Sequence, residues 1–98
     1  MSRFLVFQSE MIKYNNMQET INDSVEVSGK FSGGNFTPVY FIWNNREIRI
    51  EKINLTYTER TGRSKLYYFS VSDDAGNVYK LQFNSEDLKW ILLEIYAE

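Results

Sequence analysis

On both sides of a single turn at Gly76 the chain alternates apolar and other residues, and this alternation limits what it can fold into. Tyr67, Phe69 and Val71 precede the turn, Tyr79, Leu81 and Phe83 follow it, and Lys80 and Gln82 fill the intervening positions. A spacing of two is that of side chains on one face of a strand, whereas a helix repeats every ~3.6 residues. A three-residue loop Asp74-Ala75-Gly76 places Gly76 in the left-handed position that a type I turn followed by a G1 bulge requires. The loop then pairs Val71 with Tyr79, Phe69 with Leu81 and Tyr67 with Phe83. All three pairs are apolar and share one face.

A second hairpin follows from the same logic. Val39-Tyr40-Phe41-Ile42-Trp43 and Arg46-Glu47-Ile48-Arg49-Ile50 flank Asn44-Asn45. Asparagine tolerates positive φ better than most residues, as a two-residue type I′ turn demands. That turn pairs Trp43 with Arg46, Phe41 with Ile48 and Val39 with Ile50 on one face, and Tyr40 with Arg49 and Ile42 with Glu47 on the other. Beyond Ile50 the parity changes, because Ile53, Leu55 and Tyr57 are odd-numbered. One extra residue near Glu51-Lys52, a β-bulge, keeps both sets on one face; two separate strands with a kink are the alternative. A turn around Arg60-Thr61-Gly62-Arg63-Ser64 then brings Ile53, Leu55 and Tyr57 to the face of Tyr67, Phe69 and Val71. Gly33-Gly34 reads as a flexible connection before Pro38.

Turn signals of this kind recur from Val25 onward at about ten-residue intervals, the rhythm of a small sandwich or barrel. A length of 98 residues suits one domain. The expected division is an N-terminal segment over residues 1–22, available to pack on the sheet, and a single small β domain over residues 23–98. The expected fold is all-β, an antiparallel meander of five or six strands curled into an SH3-like barrel or half-barrel. Its expected core is Val25, Val27, Val39, Phe41, Trp43, Ile48, Ile50, Ile53, Leu55, Tyr57, Tyr67, Phe69, Val71, Tyr79, Leu81 and Phe83. The apolar residues Phe4, Val6, Met11, Ile12 and Met17 must be buried as well, and the remaining sheet face offers a place for them.

The C-terminal stretch fits two templates. Leu88, Ile91, Leu92 and Ile95 follow helical spacing, with Asn84 or Ser85 available as N-cap. Trp90-Ile91-Leu92-Leu93-Glu94-Ile95 also suits a strand that is apolar on both faces. The series Pro38-x-x-Phe41-x-Trp43-x-Asn45-Arg46-x-Ile48-x-Ile50, Phe69-x-Val71, Gly76-x-x-Tyr79-x-Leu81 and Trp90-x-Leu92 resembles a group of small uncharacterised bacterial domains. Their pattern is F-x-W-x-G-R-x-Y-x-V, then F-x-V, G-x-x-Y-x-L and W-x-L, and some members are encoded near translesion-polymerase genes. The resemblance spans residues 25–96. Asn45 replaces the turn glycine and Ile48 the strand tyrosine, both compatible with a hairpin. It implies that Trp90-x-Leu92 is a closing strand, not a helix.

Composition removes several chemistries. The chain has no Cys and no His, which excludes thiol nucleophiles, Ser-His triads, disulfides and the common zinc and haem sites. The adjacent carboxylates Asp73-Asp74 and Glu86-Asp87 fall in expected turns, where Asp bonds the local backbone. Neighbours in sequence also point apart, so neither pair focuses on one substrate atom. Gly33-Gly34 lacks the following Lys-Ser/Thr and helix of a phosphate loop. We therefore expect no catalytic residue, no metal and no cofactor. Arg3 precedes only four apolar residues, Phe4-Leu5-Val6-Phe7, too few for a signal-peptide core or a membrane span. A cytoplasmic location without membrane contact is the expectation.

Two binding functions remain. The face opposite the core presents Tyr40, Ile42, Arg49, Leu66 and Tyr68, the aromatic-plus-Arg composition of protein-binding hot spots. A non-enzymatic accessory or adaptor domain that binds another protein is the favoured reading. Single-stranded nucleic acid is the alternative. Arg46, Arg49, Lys52, Arg60, Arg63 and Lys65 outnumber Glu47, Glu51 and Glu59 across residues 46–65, a local net charge of +3. Basic rims with aromatic faces stack exposed bases. Against it, the whole chain carries a net charge of −2, and residues 65–72 lack the glycines of an RNA-recognition motif.

Overall fold

The computed structural model describes residues 17–97, which form seven antiparallel strands. They are β1 (Met17–Ser32), β2 (Asn35–Trp43), β3 (Arg46–Arg49), β4 (Lys52–Thr61), β5 (Ser64–Ser72), β6 (Val78–Asn84) and β7 (Lys89–Ala97). The order across the sheet is β3-β2-β1-β7-β6-β5-β4. There is one strand more than the upper expected count, and the hydrogen-bonded sheet does not close: β3 and β4 are its two edges. The C-terminal stretch is a strand, as the resemblance implied. No helix among the described residues is long and apolar enough to cross a membrane.

The curl of this sheet originates in β1. Its first half, Met17–Val25, pairs with β7, and its second half, Glu26–Ser32, pairs with β2. Asn22, at φ 58, lies in a bulge where Ile21 and Asn22 together face Leu93 of β7. β1 thus begins at Met17, inside the stretch expected to be a separate N-terminal segment. Phe4, Val6, Met11 and Ile12 lie outside the described residues.

β2 and β3 fold over the other five strands. Phe41 of β2 meets Tyr79 of β6 edge-on with ring centroids 5.2 Å apart, although β1 and β7 stand between those strands in the ladder. Phe36 reaches Trp90 at 5.6 Å and Phe69 at 6.5 Å. The crossing is tight at Gly29, where β2 carries Val39 as an extra residue. A Cβ on Gly29 would collide with the Thr37 carbonyl and lie 2.8 Å from the Phe36 ring and the Pro38 Cα. Only glycine fits.

The core is Phe41, Ile48, Phe69, Val71, Tyr79, Leu81 and Leu92, with Ile21, Val25, Val27, Phe36, Trp43, Ile50, Ile53, Tyr67, Trp90 and Ile95 packed around it. The β2–β3 register agrees with expectation at Trp43–Arg46, Phe41–Ile48, Tyr40–Arg49 and Ile42–Glu47. Asn44 and Asn45 stand at φ 53 and 60, as a type I′ turn needs. The β5–β6 register also agrees, with Gly76 at φ 89. Gly33 and Gly34 are a tight turn between Ser32 and Asn35, both at positive φ, and not a flexible connection.

β4 departs from expectation. β3 ends at Arg49 and β4 starts at Lys52, with Ile50 donating its N–H to Val39 and Glu51 to Ser72. The kink alternative therefore describes the link, and the bulge sits later, at Asn54, which falls between the pairs Ile53–Val71 and Leu55–Ser70. Ile53 keeps its place against the core, but Leu55 and Tyr57 do not. The two-residue turn Gly62-Arg63 sets Tyr57 opposite Tyr68, and directly opposed residues share a face. Leu55 and Tyr57 are thus on the outer face, 57% and 37% exposed.

These backbone features predict three stability changes, measurable by equilibrium unfolding. Phe69→Ala should cost about 3–5 kcal/mol through the cavity it opens. Gly76→Val should cost more than about 1 kcal/mol because a β-branched residue fits badly at positive φ, with Gly76→Asn much milder. Leu88 is 71% exposed and stands at φ 59, so Leu88→Gly should gain about 1 kcal/mol by removing the left-handed strain. Equal losses for Val and Asn at position 76 would contradict the turn assignment.

Candidate functional site

The outer face of β4–β7 can be read row by row from the strand pairings. One row runs Lys52, Ser72, Val78, Tyr96, Gln18; the next Leu55, Ser70, Lys80, Glu94, Thr20; the next Tyr57, Tyr68, Gln82, Ile91. The small side chain of Ser70 leaves a depression between the larger residues of β4 and β7. This groove of about 460 Å³ is lined by Leu55, Tyr57, Ser70, Val78, Lys80 and Tyr96, with Gly76 and Ala97 at one end.

Its polar groups are ordered by one another. The rings of Tyr57 and Tyr68 stack in parallel, centroids 4.6 Å apart. The Lys80 ammonium lies over both, 5.6 and 5.5 Å from the ring centres, a cation–π arrangement. The Tyr68 hydroxyl donates to Glu59 Oε1 at 2.9 Å and accepts from Gln82 Nε2 at 3.2 Å. Burial, with the Glu59 carboxylate adding to it, holds the Tyr68 hydroxyl above the ordinary tyrosine range. Tyr96 donates to Glu94 Oε1 at 2.7 Å, and that bond raises its pKa. Hydrogen bonding to Tyr57, with the nearby Glu94 carboxylate adding to it, raises the Lys80 pKa above the usual lysine value against partial desolvation. The groove therefore offers aromatic faces, hydroxyl donors and one fixed cation.

The sequence-predicted surface residues fall into two separate groups. Tyr40, Ile42 and Arg49 share the outer face of β2–β3, where Arg49 lies 5.7 Å over the Tyr40 ring and pairs with Glu47 at 2.7 Å. Leu66 and Tyr68 belong to β5, on the face of the groove. Tyr68 is only 7% exposed, because Tyr57, Lys80 and Gln82 cover it. Leu55, Tyr57, Lys80 and Tyr96 were not among the predicted surface residues. The signal that finds two of them is Gly62, whose turn places Tyr57 opposite Tyr68.

The six basic residues of 46–65 are also divided. Arg46 and Arg49 belong to β3 and Lys52 opens β4, whereas Arg60 and Lys65 form a directly opposed pair beside Arg63 in the turn. There Lys65 lies 5.1 Å over Tyr67. Tyr67 leads through Phe83, Trp90 and Phe36 to Phe31, each ring within 6.1 Å of the next. Phe31 is 80% exposed.

Asp73, Glu86 and Asp87 all accept hydrogen bonds from neighbouring groups of the chain. Asp73 accepts the backbone N–H of Ala75 and Asn77 at 3.0 Å each and the Tyr79 hydroxyl at 2.7 Å. Glu86 accepts the Ser64 hydroxyl, and Asp87 accepts the Lys89 N–H. No group of three Asp or Glu side chains suited to holding a metal ion occurs among the described residues. Comparison with family models, curated proteins and solved structures finds no match.

Burial acts to raise the Asp73 pKa, but the hydrogen bonds from Tyr79, Asn77 and Ala75 outweigh it and the value lies below 3.8. A carboxylate depressed by folding adds stability above its unfolded pKa, and this is lost as pH falls through the folded value. Asp73→Asn should therefore lose on the order of 1–3 kcal/mol at pH 7. Its deficit against the wild type should shrink on acidification below about pH 4. Denaturant midpoints at pH 7 and pH 3 check this; an equal deficit at both would remove Asp73 from the pH response.

Proposed function

We propose that this chain is a non-enzymatic adaptor domain that binds another protein through the outer face of β4–β7. The observation that carries the reading is the exposure of three large side chains around one groove: Leu55 at 57%, Tyr57 at 37% and Tyr96 at 36%. Contiguous apolar surface of this kind, with tyrosines at its centre, has the composition of an interaction site. Tyr68 stacks under Tyr57 beside the groove, and Leu66 lies two residues further along β5 on the same face. Tyr40, Ile42 and Arg49 make a second patch on the outer face of β2–β3.

The resemblance to the small bacterial domains supports a shared fold. Phe41, Trp43, Ile48, Ile50, Phe69, Val71, Tyr79, Leu81, Trp90 and Leu92 all lie in the core or against it. The SH3-like reading draws support from the Ile50-Glu51 link, which joins the two sheet edges covalently.

A second reading, single-stranded nucleic acid, rests on the aromatic run from Phe31 to Tyr67 beside Lys65, Arg60 and Arg63. The two readings separate experimentally. Affinity capture from the native host should recover a partner with the wild type and with Phe31→Ala but lose it with Leu55→Glu and with Tyr96→Ala. Labelled single-stranded oligonucleotides should show no binding at low salt. Binding that falls with a log–log salt slope of about −0.7 per phosphate contact, and is abolished by Lys65→Glu, would replace the protein reading with the nucleic-acid one.

A further inference from the structure

We propose that the groove takes an extended, acidic segment of a partner protein, with apolar side chains between Leu55, Tyr57 and Tyr96 and a carboxylate seated on Lys80. This rests on the protein-binding reading and specifies its ligand.

Charge is the first argument. Of the residues lining the groove, Lys80 alone is charged. Glu94 stands opposite it in register, but the Glu94 carboxylate takes the Tyr96 hydroxyl, and the one ion pair among the described residues is Arg49–Glu47. The Lys80 ammonium is turned instead over Tyr57 and Tyr68. A cation held on aromatic faces retains open hydrogen-bond donors, and its natural complement is a carboxylate. A basic segment would set like charges together within an apolar groove.

Shape is the second. The walls come from β4 and β7 and the floor from β5 and β6, so the groove follows the strand direction. An extended segment presents side chains at intervals of about 6.6 Å on one face. A volume of about 460 Å³ accommodates a few such side chains and not a helix of ~10 Å diameter. Hydroxyls at Tyr57 and Ser70 stand along it to meet the segment's backbone carbonyls.

A phage-displayed library of random 12-residue peptides, selected on the full chain, tests this. The expected peptides carry Asp or Glu beside aliphatic or aromatic residues, and changing that acid to its amide in a synthetic copy should weaken binding about tenfold. Lys80→Met, which keeps the apolar stem, should weaken it to a similar degree, and Lys80→Glu should select lysine-bearing peptides instead. Apolar peptides without an acid, lost on Leu55→Glu but indifferent to Lys80→Met, would overturn the acidic ligand and leave the protein-binding reading standing. Selections that yield no peptide sensitive to Leu55→Glu would overturn both. A dimer in sedimentation that Leu55→Glu dissociates would assign the groove to a second copy of the chain. Peptide affinity that rises in Phe7→Glu would assign it to the chain's own N-terminal residues. Either result replaces the partner.

Discussion

β1 belongs to two ladders, and the rest of the molecule depends on the point where it changes partner. A strand that pairs with β7 up to Val25 and with β2 from Glu26 cannot remain flat, since the two partners must diverge around it. The divergence carries β2 and β3 over the other strands and encloses Phe41 against Tyr79. Gly29 stands just beyond the exchange, where the Phe36 ring and the β2 backbone occupy the space a Cβ would need. The sheet acquires an inside without closing its hydrogen-bonded circuit. Phe41, Val71, Leu81 and Leu92 are fully buried there.

Bulges then decide which residues the inside receives. Extra residues occur at Asn22 in β1, Val39 in β2, Asn54 in β4 and Leu93 in β7. Each shifts the alternation by one, so residues three apart can share a face. Leu92 and Ile95 both meet the core in this way, and Ile53 does while Leu55 does not. The groove is a product of the same shift. Without the bulge at Asn54, Leu55 and Ile53 would share a face, and the wall beside Ser70 would be missing.

The parts of this arrangement legible in the sequence are those encoded by short turns. Asn44-Asn45 and Asp74-Ala75-Gly76 fix their registers within a dozen residues, because loop length and φ preference set the first pair and the rest follow. The pairing of β1 with β7 spans most of the chain, and no local residue encodes it. Bulges leave only a break in parity, as at Ile50 and Ile53, and several positions satisfy the same break. Placing the bulge at Glu51-Lys52 instead of Asn54 put Leu55 and Tyr57 in the core. Alternation alone assigns Tyr68 to the outer face, which it does occupy, but its burial depends on Tyr57 lying beside it and Lys80 reaching across from β6. Tyr96 stood at the end of a stretch whose period fitted helix and strand alike.

Fold and proposed site draw on separate residues. The apolar motif positions Phe41, Trp43, Ile48, Ile50, Phe69, Val71, Tyr79, Leu81, Trp90 and Leu92 lie in the core or against it. Lys80 occupies a free position between Tyr79 and Leu81, and Leu55, Tyr57 and Tyr96 stand outside the motif altogether. Alternation makes this separation physical: in a strand the neighbour of each core residue must point to the opposite face. Partly exposed side chains there can change at small cost to folding, within about 0.5 kcal/mol where no buried partner is lost. Tyr68 is the exception, because its buried hydroxyl is bonded to Glu59 and Gln82 and its ring carries Tyr57. It carries the packing of the sheet to the groove wall at Tyr57, and its loss would disturb both.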